Sequence, residues 1–138
     1  MNGGRKKINR LRKDTVVDPE FQIMLSAAEA YFESYDGGRY EYHQCLVLCT
    51  ASGEQKVYSF RSDSVSELIA MSCAASFPEA PESIRKIVCI WEGGSVDLPA
   101  FLLRKKLCEV NPENKNAEIL LTAAGGVATV RKISDTIG

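Results

Sequence analysis

Glu67 stands three residues after Ser64, in the string Ser64-Val65-Ser66-Glu67. A carboxylate can move a proton, and a serine three residues before a glutamate is the signature of a capped helix start. The spacing fits both roles: a residual proton shuttle, or a capping partner for Ser64. The one histidine is His43, and five cysteines (Cys45, Cys49, Cys73, Cys89 and Cys108) are the remaining soft ligands. No two cysteines are spaced C-x-x-C, their number is odd, and most lie in apolar stretches. That pattern predicts a reducing intracellular compartment, cytoplasmic or mitochondrial, with cysteine used as a small core hydrophobe. A metal site would have to draw on His43, scattered cysteines and carboxylates, and a lone histidine near a strand start reads more simply as structural. The last cluster is basic: Arg5, Lys6, Lys7, Arg10, Arg12 and Lys13, with no acid among residues 1–13. It could contact phosphate, act as an import segment with Ile8 and Leu11 as its apolar residues, or be a solvated tail.

The rest of the chain differs in charge. All eighteen acids lie in residues 14–138 beside eleven bases, so a net charge of −1 overall hides a stretch, 14–138, at −7 behind the basic residues 1–13. That excludes a wholly basic nucleic-acid domain while leaving the arm free to touch RNA. The arm is assigned to residues 1–17 and the domain to 18–138. With 138 residues, 45% hydrophobic and 25% charged, the composition is that of one globular domain. A chain of this size buries roughly two-thirds of its unfolded surface and needs neither a disulfide nor a metal to hold it. Apolar runs such as Cys45 to Cys49 fall far short of the roughly 20 residues of a membrane span. No hydrophobic segment opens the sequence, which predicts no secretory signal.

The elements that must position these residues follow from periodicity. Asp18-Pro19-Glu20 starts a helix, and Phe21, Met24, Leu25, Ala28, Phe32 and Tyr35 recur at three and four, giving a helix over 19–35. Tyr42 to Thr50 is apolar on both faces in its second half, as a central strand is. A turn at Ala51-Ser52-Gly53-Glu54 joins it to a strand over 55–60. The Ser64 cap opens a second helix to about Ala75, with Leu68, Met71 and Ala75 facing inward. Residues 86–91 are an interior strand. Asp97-Leu98-Pro99 starts a third helix to about Val110, which Asn111-Pro112 stops. Strands over 118–122 and 127–133 follow, then a helical stub over 134–138. The turn Ala123-Ala124-Gly125-Gly126 is too short for a parallel return, so the last two strands are antiparallel. The order αββαβαββ predicts an α/β fold with three layers and a mixed five-stranded sheet. Arg104-Lys105-Lys106 reads as a solvated helix face. The aromatic residues Tyr31, Phe32, Tyr35, Tyr40 and Tyr42 read as the edge of a core or a subunit interface rather than a base-stacking surface.

Over about residues 19–133 the chain resembles the cytidine deaminase superfamily. Leu46 to Lys56 (LVLCTASGEQK) is similar to the family's first hairpin, with its Thr-x-x-Gly turn. Val65 to Ala70 (VSELIA) falls where a [His/Cys]-Ala-Glu motif opens the second helix, and Ile84 to Trp91 resembles the middle strand. Leu98 to Leu107 (LPAFLLRKKL) falls where Pro-Cys-Gly-x-Cys-Arg-x-x-Leu opens the third. The antiparallel ending is similar to the free-nucleoside enzymes, since the fifth strand of the RNA- and DNA-editing branch runs parallel.

The resemblance implies a zinc ion between two helix N-termini, held by one His or Cys and two Cys, which ionises a water that a glutamate then serves. Here the three ligand positions are Val65, Ala100 and Leu103, whose side chains have no lone pair, and Glu67 alone matches the glutamate. A general acid or base contributes roughly 10²–10⁴-fold and does not replace the metal. The expected cofactor is therefore none. The family's ribose-binding Asn-x-Glu pair falls on Ser59-Phe60-Arg61. Three apolar replacements are expected to fill the former metal pocket, each large one worth roughly 1.5–3 kcal/mol when buried. The resemblance further implies oligomers with shared active sites. The expected role is a catalytically inactive structural or assembly subunit, homo- or hetero-oligomeric, beside an active paralogue or in a ribonucleoprotein, with the basic arm as its outward contact. The alternatives are a zinc-dependent deaminase of cytidine or a related nucleoside with relocated ligands, and a nucleoside-sensing cleft without chemistry. For relocation Cys73 is about 9 Å along the helix axis from Glu67, too far to stand in for Val65.

Overall fold

The computed structural model describes residues 10–34 and 41–137. Among these residues the α-helices and strands are α1 (Pro19–Ser34), β1 (Tyr42–Thr50), β2 (Gln55–Ser62), α2 (Val65–Ala74), β3 (Ile84–Trp91), α3 (Phe101–Val110), β4 (Glu118–Thr122), β5 (Ala128–Lys132) and α4 (Ser134–Ile137). The sheet order is β2-β1-β3-β4-β5. β1 is antiparallel to both neighbours, β3 and β4 are parallel, and β4 and β5 are antiparallel. The mixed sheet with an antiparallel ending is the one expected from the element order.

β1 is central because both its faces are apolar. Cys45, Val47 and Cys49 join a core with Phe21, Met24, Leu25 and Ala28 of α1. Leu46 and Leu48 point the other way, to Leu103 and Leu107 of α3. Helices thus cover both faces, in three layers. None of the described helices is long and apolar enough to cross a membrane. Burial pushes the Cys45 thiol up to about 11 and raises those of Cys49, Cys89 and Cys108, so these cysteines behave as core side chains.

Two element boundaries differ from the sequence expectation. The third helix starts at Phe101, not Asp97. Leu98 precedes a proline and is held out of the helical region by its ring, and the Asp97 carboxylate accepts from the Leu98 N–H instead of capping a helix. On α2 the inward pair is Leu68 and Ser72, whereas Met71 is exposed. Arg104 is likewise buried, not solvated: its guanidinium donates to the carbonyls of Pro99 (2.9 Å) and Thr136 (2.9 Å).

The start of α1 is pinned electrostatically. The Asp18 carboxylate accepts from the N–H groups of Glu20 (2.8 Å) and Phe21 (3.3 Å), the cap the sequence predicts. A bulge in β3, where Cys49 pairs with Lys86 but Thr50 with Ile84, leaves Arg85 as the extra residue. The bulge turns Arg85 toward the same side as Lys86, and both reach Glu20, at 2.8 and 2.5 Å. The Arg85 guanidinium, then the Lys86 ammonium, hold the Glu20 carboxyl down at about 2, below its ordinary 4.5. Above pH 4.5 the folded and unfolded chains both carry this charge, so the stabilisation is complete. As pH falls from 4.5 through 2, the unfolded state takes the proton first and the stabilisation is lost. Glu20→Gln is therefore expected to flatten the decline of unfolding free energy across that window, a difference that urea titrations at stepped pH would measure. The side chain is 35% exposed, so solvent screening keeps the effect modest. A parallel pair of pH profiles would show that Glu20 plays no such part.

Candidate functional site

β2 and β3 deliver the chain to the same end of the sheet, where α2 and α3 begin on one face. Ser64 caps α2: its Oγ accepts from the Glu67 N–H at 3.3 Å. The return half of the expected capping box takes a different route. The Glu67 carboxylate accepts from the Ser62 hydroxyl (3.2 Å), and Ser62 Oγ accepts from the Ser64 N–H (3.2 Å). Ser62 is buried and relays the glutamate to the cap. Glu67 is thus bound into the helix start through Ser62 rather than directly to the Ser64 N–H.

The side chains at the three positions where the resemblance places zinc ligands do not fit a metal. Val65 is the first residue of α2, Ala100 the cap residue of α3 and Leu103 its third residue. Isopropyl, methyl and isobutyl groups offer no donor. Nor do they all fill a pocket, as expected from sequence. Leu103 is fully buried, but Val65, at the first turn of α2, is 47% exposed. α3 begins without a side-chain cap and without an acid in its first turn. Among the described residues, no group of three His, Cys, Asp or Glu is placed to hold a metal ion.

Of the residues named for relocation, Cys73, Cys89 and Cys108 pack with Leu103 and Leu107 on the α3 side of the sheet, whereas the histidine lies elsewhere. His43 shares the face of Cys45, on the α1 side of the sheet. Its ring meets Phe32 edge-on at 6.5 Å, and its backbone N–H donates to the Glu92 carboxylate. Glu67 and α3 stand on the opposite side. Phe60, in the place of the family's ribose-binding pair, is buried in β2.

One polar residue at this end escaped the sequence reading. Gln44 pairs across the sheet with Phe60 and Trp91, on the face of Leu46, and is 1% exposed. Its carboxamide oxygen has no hydrogen-bond partner among the described residues. The available signal was a lone amide opening an otherwise apolar run, a position that leaves a polar atom to satisfy.

Of the basic arm, Arg5, Lys6 and Lys7 lie outside the described residues. Arg10, Arg12 and Lys13 lie on the domain. The Arg12 N–H donates to the Gly126 carbonyl (2.7 Å), and the Ala128 N–H at the start of β5 donates to Thr15 Oγ1 (2.7 Å). Leu11 packs on the α1 core and Val16 is buried in it. The fit demands glycine: at Gly126, φ is +82° and a Cβ would meet the Arg10 carbonyl oxygen at 2.6 Å. Two of these cations already face carboxylates, Arg12 with Asp14 (3.0 Å) and Lys13 with Glu29 (2.9 Å). The pairs are exposed and therefore weak enough for a phosphate to compete. Tyr31 and Phe32 meet edge-to-face at 5.2 Å against the α1 core, the core-edge role expected of them. Tyr35 and Tyr40 lie outside the described residues.

No family profile matches the sequence, and no curated protein is significantly similar to it. Solved structures are similar in fold. The cytidine deaminase of Mycobacterium leprae is 12% identical with a TM-score of 0.57, over 87% of this chain and 98% of that one. That of Mycobacterium tuberculosis is 12% identical with a TM-score of 0.54, over 86% and 94%. That of Burkholderia pseudomallei is 16% identical with a TM-score of 0.55, over 83% and 93%. These likenesses cover more than four-fifths of the chain, and on them the chain is built on the cytidine deaminase fold.

Proposed function

We propose that this protein uses the cytidine deaminase fold without zinc chemistry, as a catalytically inactive structural or assembly subunit inside a reducing compartment. The observation that carries the reading is the donor set at the two helix starts: Val65, Ala100 and Leu103 stand where the resemblance puts three ligands. Glu67 stays, but its carboxylate is engaged with Ser62 and its backbone with Ser64. A proton carrier with no ionised water to serve contributes nothing to deamination. What survives is a stable scaffold. Its basic arm, Arg5, Lys6, Lys7, Arg10, Arg12 and Lys13, is rooted at a fixed point on the surface and offers RNA or another acidic partner a cationic contact.

Elemental analysis of protein purified from zinc-supplemented medium tests this directly. The expected content is well under one zinc per chain, together with no uridine formed from cytidine when zinc is added to the assay. Stoichiometric zinc, with turnover abolished by Glu67→Gln, would overturn the reading in favour of a deaminase with relocated ligands.

A further inference from the structure

β5 is an edge of the sheet, paired with β4 alone. Two hydrogen bonds frame the β4–β5 ladder: the Ala123 N–H donates to the Val127 carbonyl (2.7 Å), and the Ile133 N–H to the Ala117 carbonyl (3.0 Å). Antiparallel pairs alternate, so Thr129 and Arg131 exchange bonds with β4, while Ala128, Val130 and Lys132 turn their N–H and C=O groups outward. The first outward slot is taken, because the Ala128 N–H donates to Thr15 Oγ1 of the arm at 2.7 Å. Among the described residues, no hydrogen bond reaches the N–H groups of Val130 and Lys132. We propose that this open edge binds an extended acidic segment of another protein, which adds to the sheet as a further strand beside β5. The surface is separate from the two helix starts, so the proposal does not depend on whether the fold is catalytically inactive.

Backbone chemistry and charge together select that occupant. A strand edge presents donors and acceptors in turn, which match a second peptide backbone. A phosphate chain offers acceptors only, and would meet the outward carbonyls unfavourably. Charge then selects among peptides. β5 carries Arg131 and Lys132 and no acid, in a stretch, 14–138, that is at −7 overall. Adjacent residues of a strand point to opposite faces, so the two cations flank the edge on both sides of the sheet. Both are exposed, and neither has an ion-pair partner among the described residues. The Arg131 guanidinium donates to the Asp135 backbone carbonyl (2.6 Å), and Glu118, opposite Lys132 on β4, forms no ion pair with it. Val130 between them is 43% exposed, although Leu120, its partner on β4, is buried in the α1 core. An apolar side chain on an added strand would extend that core. A second copy of β5 is a poor occupant. Two-fold pairing centred on Val130 would bring each Lys132 to the slot that Thr15 fills on the other chain. Moving the centre to Arg131 avoids the arm but sets two arginines directly opposite each other.

Fluorescence anisotropy of the full chain with a labelled peptide of alternating glutamate and valine tests the proposal, with an alternating lysine–valine peptide and oligouridylate as comparisons. The acidic peptide is expected to bind with a dissociation constant between about 1 and 100 µM, a moderate affinity. It should bind at least about tenfold more tightly than the basic peptide. With the acidic peptide in excess, amide hydrogen exchange at Val130 and Lys132 should slow at least about tenfold, while Thr129 and Arg131, already bonded to β4, stay as they were. Val130→Pro removes one outward donor and is expected to weaken binding about tenfold. Its circular dichroism should match the wild type, since proline is tolerated on an edge strand whose N–H faces solvent. Should that variant fail to fold, Arg131→Glu with Lys132→Glu, both at exposed positions, should reverse the preference toward the basic peptide. Absence of acidic-peptide binding up to about 1 mM, weaker than any specific docking expected here, overturns the proposal. So do equal binding of the two peptides, binding that leaves Val130 and Lys132 exchanging freely, and a folded Val130→Pro variant that binds as the wild type does. Oligouridylate binding more tightly than the acidic peptide, and weakened by the charge reversal, would overturn it in favour of a nucleic-acid contact. None of these outcomes bears on the zinc measurement.

Discussion

Asn114→Leu is expected to destabilise the protein by about 2–4 kcal/mol. Asn114 is fully buried in the turn that follows α3. Its Oδ1 accepts from the Ile84 N–H at 2.7 Å, and its Nδ2 donates to the Leu107 carbonyl at 2.8 Å. One amide therefore ties the first residue of β3 to the last turns of α3, closing the crossover that returns the chain to β4. Leucine has nearly the same shape but neither polar atom. The Leu107 carbonyl would keep a partner, the Asn111 N–H at 3.2 Å. The Ile84 N–H would lose its acceptor inside the core, so most of the cost falls there. In a domain of this size the loss amounts to roughly a 10 °C fall in melting temperature. Urea unfolding of the variant decides the matter, and a loss under about 0.5 kcal/mol, the level of an inconsequential surface change, would show that water or a rearranged backbone satisfies Ile84 equally well.

Asn114 also marks where sequence stops being informative. The strands and helices were legible because their signals are local. Leu46 and Leu48 against Cys45, Val47 and Cys49 announce a strand buried on both faces. Asp18 and Ser64 announce two helix starts, and both cap as expected. What escaped depends on residues distant in the chain. Asn114 acts on Ile84, thirty positions away, and nothing in Asn111-Pro112-Glu113-Asn114 distinguishes the buried amide from its neighbours. Arg104 sits in a basic triplet that reads as solvated, but Thr136, thirty-two positions on, offers a carbonyl that draws it inward. Arg85 is directed by a bulge, a feature of strand register rather than composition. At the candidate site, residue types were legible and burial was not. Val65 and Leu103 are equally apolar in sequence, and only the packing separates the exposed one from the core one.

That separation shapes the second large prediction. Val65→Cys, Ala100→Cys and Leu103→Cys, combined in one chain, are expected to bind a single zinc ion where the natural sequence is proposed to bind none. Ala100 and Leu103 are three apart at the start of α3 and so share a face of the helix. Val65 opens α2 at the same end of the sheet. α3 starts with no side-chain cap and no acid, so its free N–H groups and positive end favour thiolates and lower their pKa. The opposing term is the loss of Leu103 from the core, which costs about 2–5 kcal/mol if truncated to alanine and less for cysteine. Structural zinc bound by peptides contributes roughly 10–16 kcal/mol at neutral pH, so the metal outweighs the cavity. The apo variant should melt below the wild type and rise again when zinc is added, with about one equivalent taken up. Such a result would locate the two helix starts as a coordination frame that the natural sequence leaves without donors. A folded triple variant that ignores zinc would mean that Val65, Ala100 and Leu103 do not converge, and the positional comparison behind the inactive-subunit reading would fall with it.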